Sequence, residues 1–254
     1  MQQITSTQNE YIKRLCRLKT ASGRRESGLF LIEGDKLCKE ALRSGFPVVK
    51  CLFTGQQQNN PVLSEIGAGD QILISDHVAK KLTSLDSCPG MFMVLKQHEP
   101  VLGASPAFIL ALDHLADPSN LGAILRSAEA FGAGLVYLSD ECVDLYSPKV
   151  LRGAMGSVFR VPVLRGDLAA FLSEKKKTGY RIYGAGLDHR YLQLQELAFG
   201  EPSIVVIGNE SNGISEPIMA LCEQGVWIPM LGKNESLNAA VAASIILWEQ
   251  SKWR

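Results

Sequence analysis

Three short polar stretches hold the side chains that could do chemistry in this sequence. The first is Asp113-His114-Leu115-Ala116-Asp117-Pro118-Ser119-Asn120-Leu121-Gly122-Ala123-Ile124-Leu125-Arg126. The second is Gly208-Asn209-Glu210-Ser211-Asn212-Gly213-Ile214-Ser215, and the third is Gly232-Lys233-Asn234-Glu235-Ser236-Leu237-Asn238. Carboxylates, amides and a guanidinium can together grip a phosphate, orient a hydroxyl or order a loop. Taken one at a time, they have plainer readings. Asp117-Pro118 sets a turn, and Ser119 or Asn120 caps the helix that follows. A lone Arg126 is an ordinary solvent-facing arginine. Ser236 or Asn238 caps the last helix, but one cap does not explain Lys233, Asn234, Glu235, Ser236 and Asn238 in a single insert. Glu210 and two asparagines directly after a buried strand are costly unless backbone or ligand satisfies them.

Other chemistries are excluded by what the chain lacks. It has no Gly-x-x-x-x-Gly-Lys-Ser/Thr, so the second stretch is not a P-loop, and no Gly-x-Gly-x-x-Gly opens a helix after a first strand. That weighs against a nicotinamide-dependent oxidoreductase or a flavodoxin-like protein. His77, His98, His114 and His189 stand singly and read as structural or surface residues, with His114 nearest the polar loops. No metal is expected.

The elements that must position these stretches follow from apolar runs. Residues 30–34, Val48–Phe53, Gln71–Ile74 and residues 91–95 read as strands, with helices over 35–44 and 76–85. That alternation makes a small α/β unit. The rhythm restarts with Phe108–Leu112, a helix over 120–131, a strand over 134–138, a helix over 149–155 and a strand over 181–184. Residues 204–207, a helix over 214–222, a strand over 227–230 and a final helix from Ala239 complete it. Strands without a polar face suit a parallel sheet covered on both sides. In such sheets ligands gather at the carboxyl ends of strands, where all three polar stretches fall. The fold class is α/β. The division is a basic helical segment over 1–27, a small domain over 28–97, a linker over 98–106 and a second domain over 107–254.

The chain has 254 residues, 46% hydrophobic and 20% charged, with no net charge. It therefore has length enough for a substantial core, and no global electrostatic argument for nucleic acid. Locally, Lys13, Arg14, Arg17, Lys19, Arg24 and Arg25 crowd residues 10–25, which, read as a helix, turn Tyr11, Leu15 and Leu18 inward. A solvated face and an RNA-facing patch explain that cluster equally well. No apolar run spans a bilayer and no signal peptide pattern opens the chain, so no membrane is expected. Six cysteines scattered without a Cys-x-x-Cys pair indicate a reducing, cytoplasmic compartment.

Together, Asn120-x-Gly122-x-x-x-Arg126, Gly208-Asn209-Glu210-x-x-Gly213 and Ile228-Pro229-Met230-x-Gly-x-x-x-Ser236-Leu237-Asn238 resemble the three motifs of the SpoU/TrmH RNA 2′-O-ribose methyltransferases, over roughly residues 107–248. Asp117-Pro118-Ser119-Asn120 and Arg152-Gly153-Ala154-Met155-Gly156-Ser157 fit the same family. Residues 28–96 resemble its small ribosomal-protein-like substrate-binding domain. The resemblance implies a trefoil-knotted catalytic domain, an exception to unthreaded topology, working as a homodimer with S-adenosylmethionine. It implies cofactor contacts from Gly208, Ile228 and Leu237, with Met230 and Ala185 as further walls. It places Asn120, Arg126, Glu210, Ser236 and Asn238 at active-site positions. Ser211-Asn212 departs from the usual glycine after the glutamate. The implied substrate is RNA, ribosomal first and transfer RNA second; a catalytically silent RNA-binding member of the fold is the competing reading. Arg126 as general base, or Arg126 organising a substrate phosphate that takes the proton, both remain open.

Overall fold

The computed structural model describes residues 2–102, 105–232 and 236–253. The chain divides into two compact units, one running to His98 and including Tyr146–Phe159, the other comprising Glu99–Leu145 and the chain from Arg160 on. The first carries β1 (Gln2–Ile4), α1 (Glu10–Arg17), α2 (Ala21–Ser27), β2 (Leu29–Glu33), α3 (Asp35–Arg43), β3 (Val48–Phe53), β4 (Gln71–Ile74), α4 (Asp76–Leu82) and β5 (Met91–Lys96). Its sheet has the order β1-β4-β3-β5-β2, parallel across β1, β4 and β3 and antiparallel where β5 meets β3 and β2.

The basic stretch read as one helix is two. Asn9 caps α1 by accepting from Tyr11 N, and Thr20 caps α2 by accepting from Gly23 N. A Cβ at Gly23 would lie 2.2 Å from the Arg17 carbonyl oxygen, so the helices meet where only glycine fits. Ile12, Leu15 and Leu18 are buried against Ile72, Ile74, Val78 and Phe92, while Tyr11 is half-buried at the margin of that cluster.

Along the rest of the chain come β6 (Phe108–Leu112), α5 (Pro118–Ala130), β7 (Leu135–Ser139), α6 (Pro148–Ala154), β8 (Val163–Gly166), α7 (Leu168–Lys177) and β9 (Arg181–Ala185). Then follow β10 (Leu192–Gln193), β11 (Ser203–Ile207), α8 (Glu216–Met219), β12 (Gln224–Trp227) and α9 (Ala239–Ser251). Helix α6 belongs to the first unit, where Tyr146 stacks on Phe30 at 4.3 Å and Arg152 donates to Ser84 Oγ at 2.9 Å.

All seven strands of the second unit run parallel, in the order β10-β12-β9-β11-β6-β7-β8. Every residue of β6, β7 and β11 is buried, as their apolar runs require, with Ser139 and Ser203 the polar residues at the ends of β7 and β11. Ile109, Ala111, Leu135, Tyr137, Ile204 and Val206 pack on one face with Leu168 and Leu172 of α7. Alternation points Leu110, Leu112, Val136, Leu138 and Val205 to the other face, equally buried. Helices α5 and α9 pack on each other, with Ser127 Oγ 2.7 Å from Ser244 Oγ. Because β11 inserts between β6 and β9, with β12 outside β9, the carboxyl ends of β6, β11, β9 and β12 are neighbours. That adjacency gathers the polar loops.

Candidate active site

The loops after β6 and β11 are tied by groups that follow directly on buried strands. Asp113 is 1% exposed, and its Oδ2 accepts from Ser215 N at 2.7 Å. Asn209 Nδ2 donates to the His114 carbonyl at 2.8 Å, while Asn209 and Gly213 exchange backbone hydrogen bonds at 2.9 Å each. Asn209 Oδ1 also accepts from Ser211 N and Asn212 N, at 3.0 and 3.2 Å, so the family departure at these two positions is absorbed by one side chain. A Cβ on Gly208 would sit 2.1 Å from the Gly213 carbonyl carbon. The hairpin closes on bare backbone there.

Helix α5 starts earlier than its apolar pattern indicates. Asp117, not Ser119 or Asn120, is the cap, with Oδ1 accepting from Ser119 N at 2.6 Å and Pro118 in the first turn. Asn120 is thereby released from capping. Its Nδ2 donates to Glu210 Oε1 at 2.7 Å and its Oδ1 accepts from Asn238 Nδ2 at 2.9 Å. Asn238 also caps α9, its Oδ1 accepting from Ala240 N and Val241 N at 2.9 and 3.3 Å. Glu210 accepts further from Asp117 N at 3.1 Å and Ala116 N at 3.3 Å. One connected set of hydrogen bonds therefore joins all three polar loops. Burial pushes the Glu210 carboxyl up, but the hydrogen bonds from Asn120 and from backbone N–H groups outweigh it and hold it below the ordinary value.

Arg126 lies on α5 less than two turns past Asn120, exposed and making no ion pair or hydrogen bond among the described residues. Ser236 is exposed and does not cap α9. Neither is bonded to the Asn120, Glu210 and Asn238 set. Lys233, Asn234 and Glu235 lie outside the described residues. Among the expected cofactor contacts, Gly208 is buried at the end of β11 and Ala185 ends β9 half-buried. Ile228 and Met230 were expected inside a strand, but β12 stops at Trp227. They and Leu237 are half-buried apolar side chains in the loop beyond it. Nearby in sequence, Leu187 is 58% and Leu231 fully exposed, so apolar groups at these strand ends lack apolar cover. The indole Nε1 of Trp227 is buried without a partner among the described residues. This combination of apolar walls, backbone groups and an open donor suits a planar heterocycle.

Sequence reading named Asp113, Asp117 and Asn209 in the polar stretches without giving them a place in the site, and it missed Tyr191. The Tyr191 ring lies so close to Gly186 and Gly225 that a Cβ would come within 2.7 and 2.3 Å of it. A glycine inside β12 was the available signal for that close approach.

Residues 107–248, more than half the chain, match the SpoU rRNA Methylase family, and residues 9–92 match the MRM3-like substrate binding domain. The chain is 32% identical to the 23S rRNA (guanosine(2553)-2′-O)-methyltransferase RlmP of Bacillus subtilis, over 98% of each chain. It is 30% identical to the 23S rRNA (uridine(2479)-2′-O)-methyltransferase of Streptomyces viridochromogenes, over 99% of this chain and 92% of that one. The AdoMet-bound rRNA methyltransferase from Sinorhizobium meliloti superposes with a TM-score of 0.88 at 27% identity, covering 99% of this chain and 97% of that chain. With motif order, parallel sheet and length all in agreement, the chain belongs to the SpoU family of methylases.

Proposed function

We propose that this protein transfers a methyl group from S-adenosylmethionine to a ribose 2′-hydroxyl of ribosomal RNA. The observation that carries this reading is the hydrogen-bonded link Glu210–Asn120–Asn238, which ties three loops of one parallel sheet beside an exposed Arg126. Full-length similarity to 23S rRNA 2′-O-methyltransferases supports the reaction and the RNA class. AdoMet in structures of similar chains supports the cofactor.

The residues fit that cofactor. Ile228, Met230 and Leu237 offer an apolar slot, Ala185 a further wall, and Gly208 its backbone groups at the end of β11. When bound, the cofactor supplies an activated methyl on a sulfonium, so the protein's task is to position the ribose and accept its proton. Arg126, with no competing ion pair among the described residues, grips the nucleotide's phosphate and favours charge developing on the 2′-oxygen. A guanidinium is very hard to deprotonate, so the proton passes to a substrate phosphate that Arg126 holds. Ser236, exposed beside Asn238, aligns the ribose, and Glu210 anchors the second loop through Asn120.

The first unit, through residues 9–92, selects the RNA, and the second functions as a homodimer. Helix α9 is apolar on nearly every side, yet Val241 and Trp248 are 47% and 53% exposed. A helix apolar all round needs cover on every face, which a second copy supplies. The order β9-β11-β6, with the later strand inserted, supports the threaded topology. Six free cysteines, and the lack of a membrane-crossing helix among the described residues, support a cytoplasmic site of action.

The test is incubation of the purified protein with labelled methyl donor and unmodified ribosomal RNA, followed by sequencing-based mapping of ribose methylation. Label at one 2′-oxygen is the expected result. Label on a base, or none on ribosomal RNA with label on transfer RNA, would redirect the substrate assignment.

A further inference from the structure

The two basic helices of the first unit enclose a cleft of about 320 Å³ that the methyl-transfer site does not use. Its floor is Leu15, Leu18 and Leu29, and its walls are Tyr11, Arg14 and Arg17. Helical spacing puts Tyr11, Arg14, Leu15 and Leu18 on one side of α1 and its continuation. Gly23, where a Cβ would lie 2.2 Å from the Arg17 carbonyl oxygen, sets how closely α2 approaches and so how wide the cleft opens.

Charge distinguishes this cleft from an ordinary gap between helices. Lys13 pairs with Glu10 at 2.8 Å, and Lys19 is taken by the carbonyls of Lys81 and Thr83 at 2.8 Å each. Arg24 is buried on the Leu18 carbonyl at 2.6 Å. Arg14 and Arg17 differ: both are exposed, and among the described residues neither makes an ion pair or donates a hydrogen bond. Glu26, the cleft's one carboxylate, already accepts from Ser22 Oγ at 2.7 Å. Arg25 is also exposed, but it does not line the cleft; Arg14 and Arg17 are the two guanidinium groups left at this apolar-floored, tyrosine-walled opening.

We infer that this cleft takes one unstacked nucleotide of the RNA substrate, its base against Tyr11 and the leucine floor and its flanking phosphates on Arg14 and Arg17. Proteins read single-stranded RNA with this combination of an aromatic platform, apolar contact and guanidinium groups on the backbone. A volume near the lower limit for small-ligand clefts admits one base and excludes a duplex. The inference rests on the reading that the first unit selects RNA, and it locates where.

The test measures affinity of the full chain for unmodified ribosomal RNA transcribed in vitro, as a function of salt, with S-adenosylmethionine affinity followed in parallel. Arg14→Ala and Arg17→Ala are each expected to flatten the log–log salt dependence by about 0.7, the value for one phosphate of a single strand. Tyr11→Leu is expected to weaken RNA binding on the order of 5- to 150-fold, and Tyr11→Phe to restore it. Cofactor affinity and the thermal unfolding profile stay unchanged throughout, which separates recognition from loss of fold in either unit. Lys36→Ala with Lys80→Ala, removing the same charge from exposed positions of the same unit, is the control. Equal losses from control and cleft variants would overturn the cleft while leaving the first unit an RNA reader. No loss from any of them would overturn both. Unchanged RNA affinity together with lost binding of a polyglutamate peptide would also overturn it, in favour of an acidic protein partner.

Discussion

At Asn120 a single amide is used at both ends, donating to Glu210 and accepting from Asn238, on a side chain only 7% exposed. Asn120→Ala is therefore expected to cost about 1.5–3 kcal/mol, the range for a buried hydrogen bond to a charged group, measured by denaturant unfolding. Glu210 adds a pH dependence whose sign follows from its lowered value. Its contribution is fully present above the unfolded value of 4.5 and is lost as pH falls through the lower folded value. Unfolding midpoints should fall on acidification through that window, and Glu210→Gln should flatten the trend; an unaltered trend would assign the acid sensitivity elsewhere. Arg126 stands outside this bonded set. Arg126→Ala should reduce methyl transfer by about 100-fold or more, as for loss of one charge-stabilising donor, while calorimetry finds S-adenosylmethionine affinity nearly unchanged. Equal loss of both would assign Arg126 to cofactor binding instead.

Between elements, the decisive constraints are backbone approaches rather than side chains. Gly208→Ala would drive a methyl into Gly213, forcing the hairpin open at a cost of about 1–3 kcal/mol or more. Titration calorimetry should find S-adenosylmethionine binding weakened in that variant, with RNA affinity retained. How legible all this was depended on the kind of signal. Strands β6 and β11 were readable because runs of five and four consecutive buried apolar residues, Phe108–Leu112 and 204–207, leave no alternative. Strand β1, with two of its three residues exposed glutamines, and edge strand β8, with Arg165 exposed, were not. Residues 228–230 were read as strand because they are apolar, but they lie half-buried in the loop after β12 ends at Trp227. The start of α5 was misplaced by three residues' ambiguity among Asp117, Ser119 and Asn120, all competent caps; only the Glu210 partner across the sheet decides it. Motif residues were legible as types, whereas their mutual bonding depends on strand order, which no local pattern encodes. The helix read over 214–222 shrinks to Glu216–Met219, since Asp113 holds Ser215 N and fixes the chain just before it.

For the molecule as a whole, the exposed apolar groups of α9 predict assembly. Sedimentation of the 27.7 kDa chain should give a dimer, and Trp248→Glu, which replaces one of the exposed apolar groups of α9 with a charge, should shift it toward monomer. A wild-type chain that stays monomeric at micromolar concentration would remove the homodimer from the functional reading. Dimer loss with intact S-adenosylmethionine binding would separate assembly from the pocket.

The pairing of Phe108 with Ser203 has a further consequence during synthesis. A parallel neighbour that emerges so much later leaves β6, whose side chains are all apolar, with one edge of unpaired backbone groups for most of the time the domain is being translated. Such an edge is a template for pairing with another chain. Ribosome-bound intermediates in which Ser203–Ile207 has not left the exit tunnel should therefore recruit chaperones or aggregate more than those in which it has emerged.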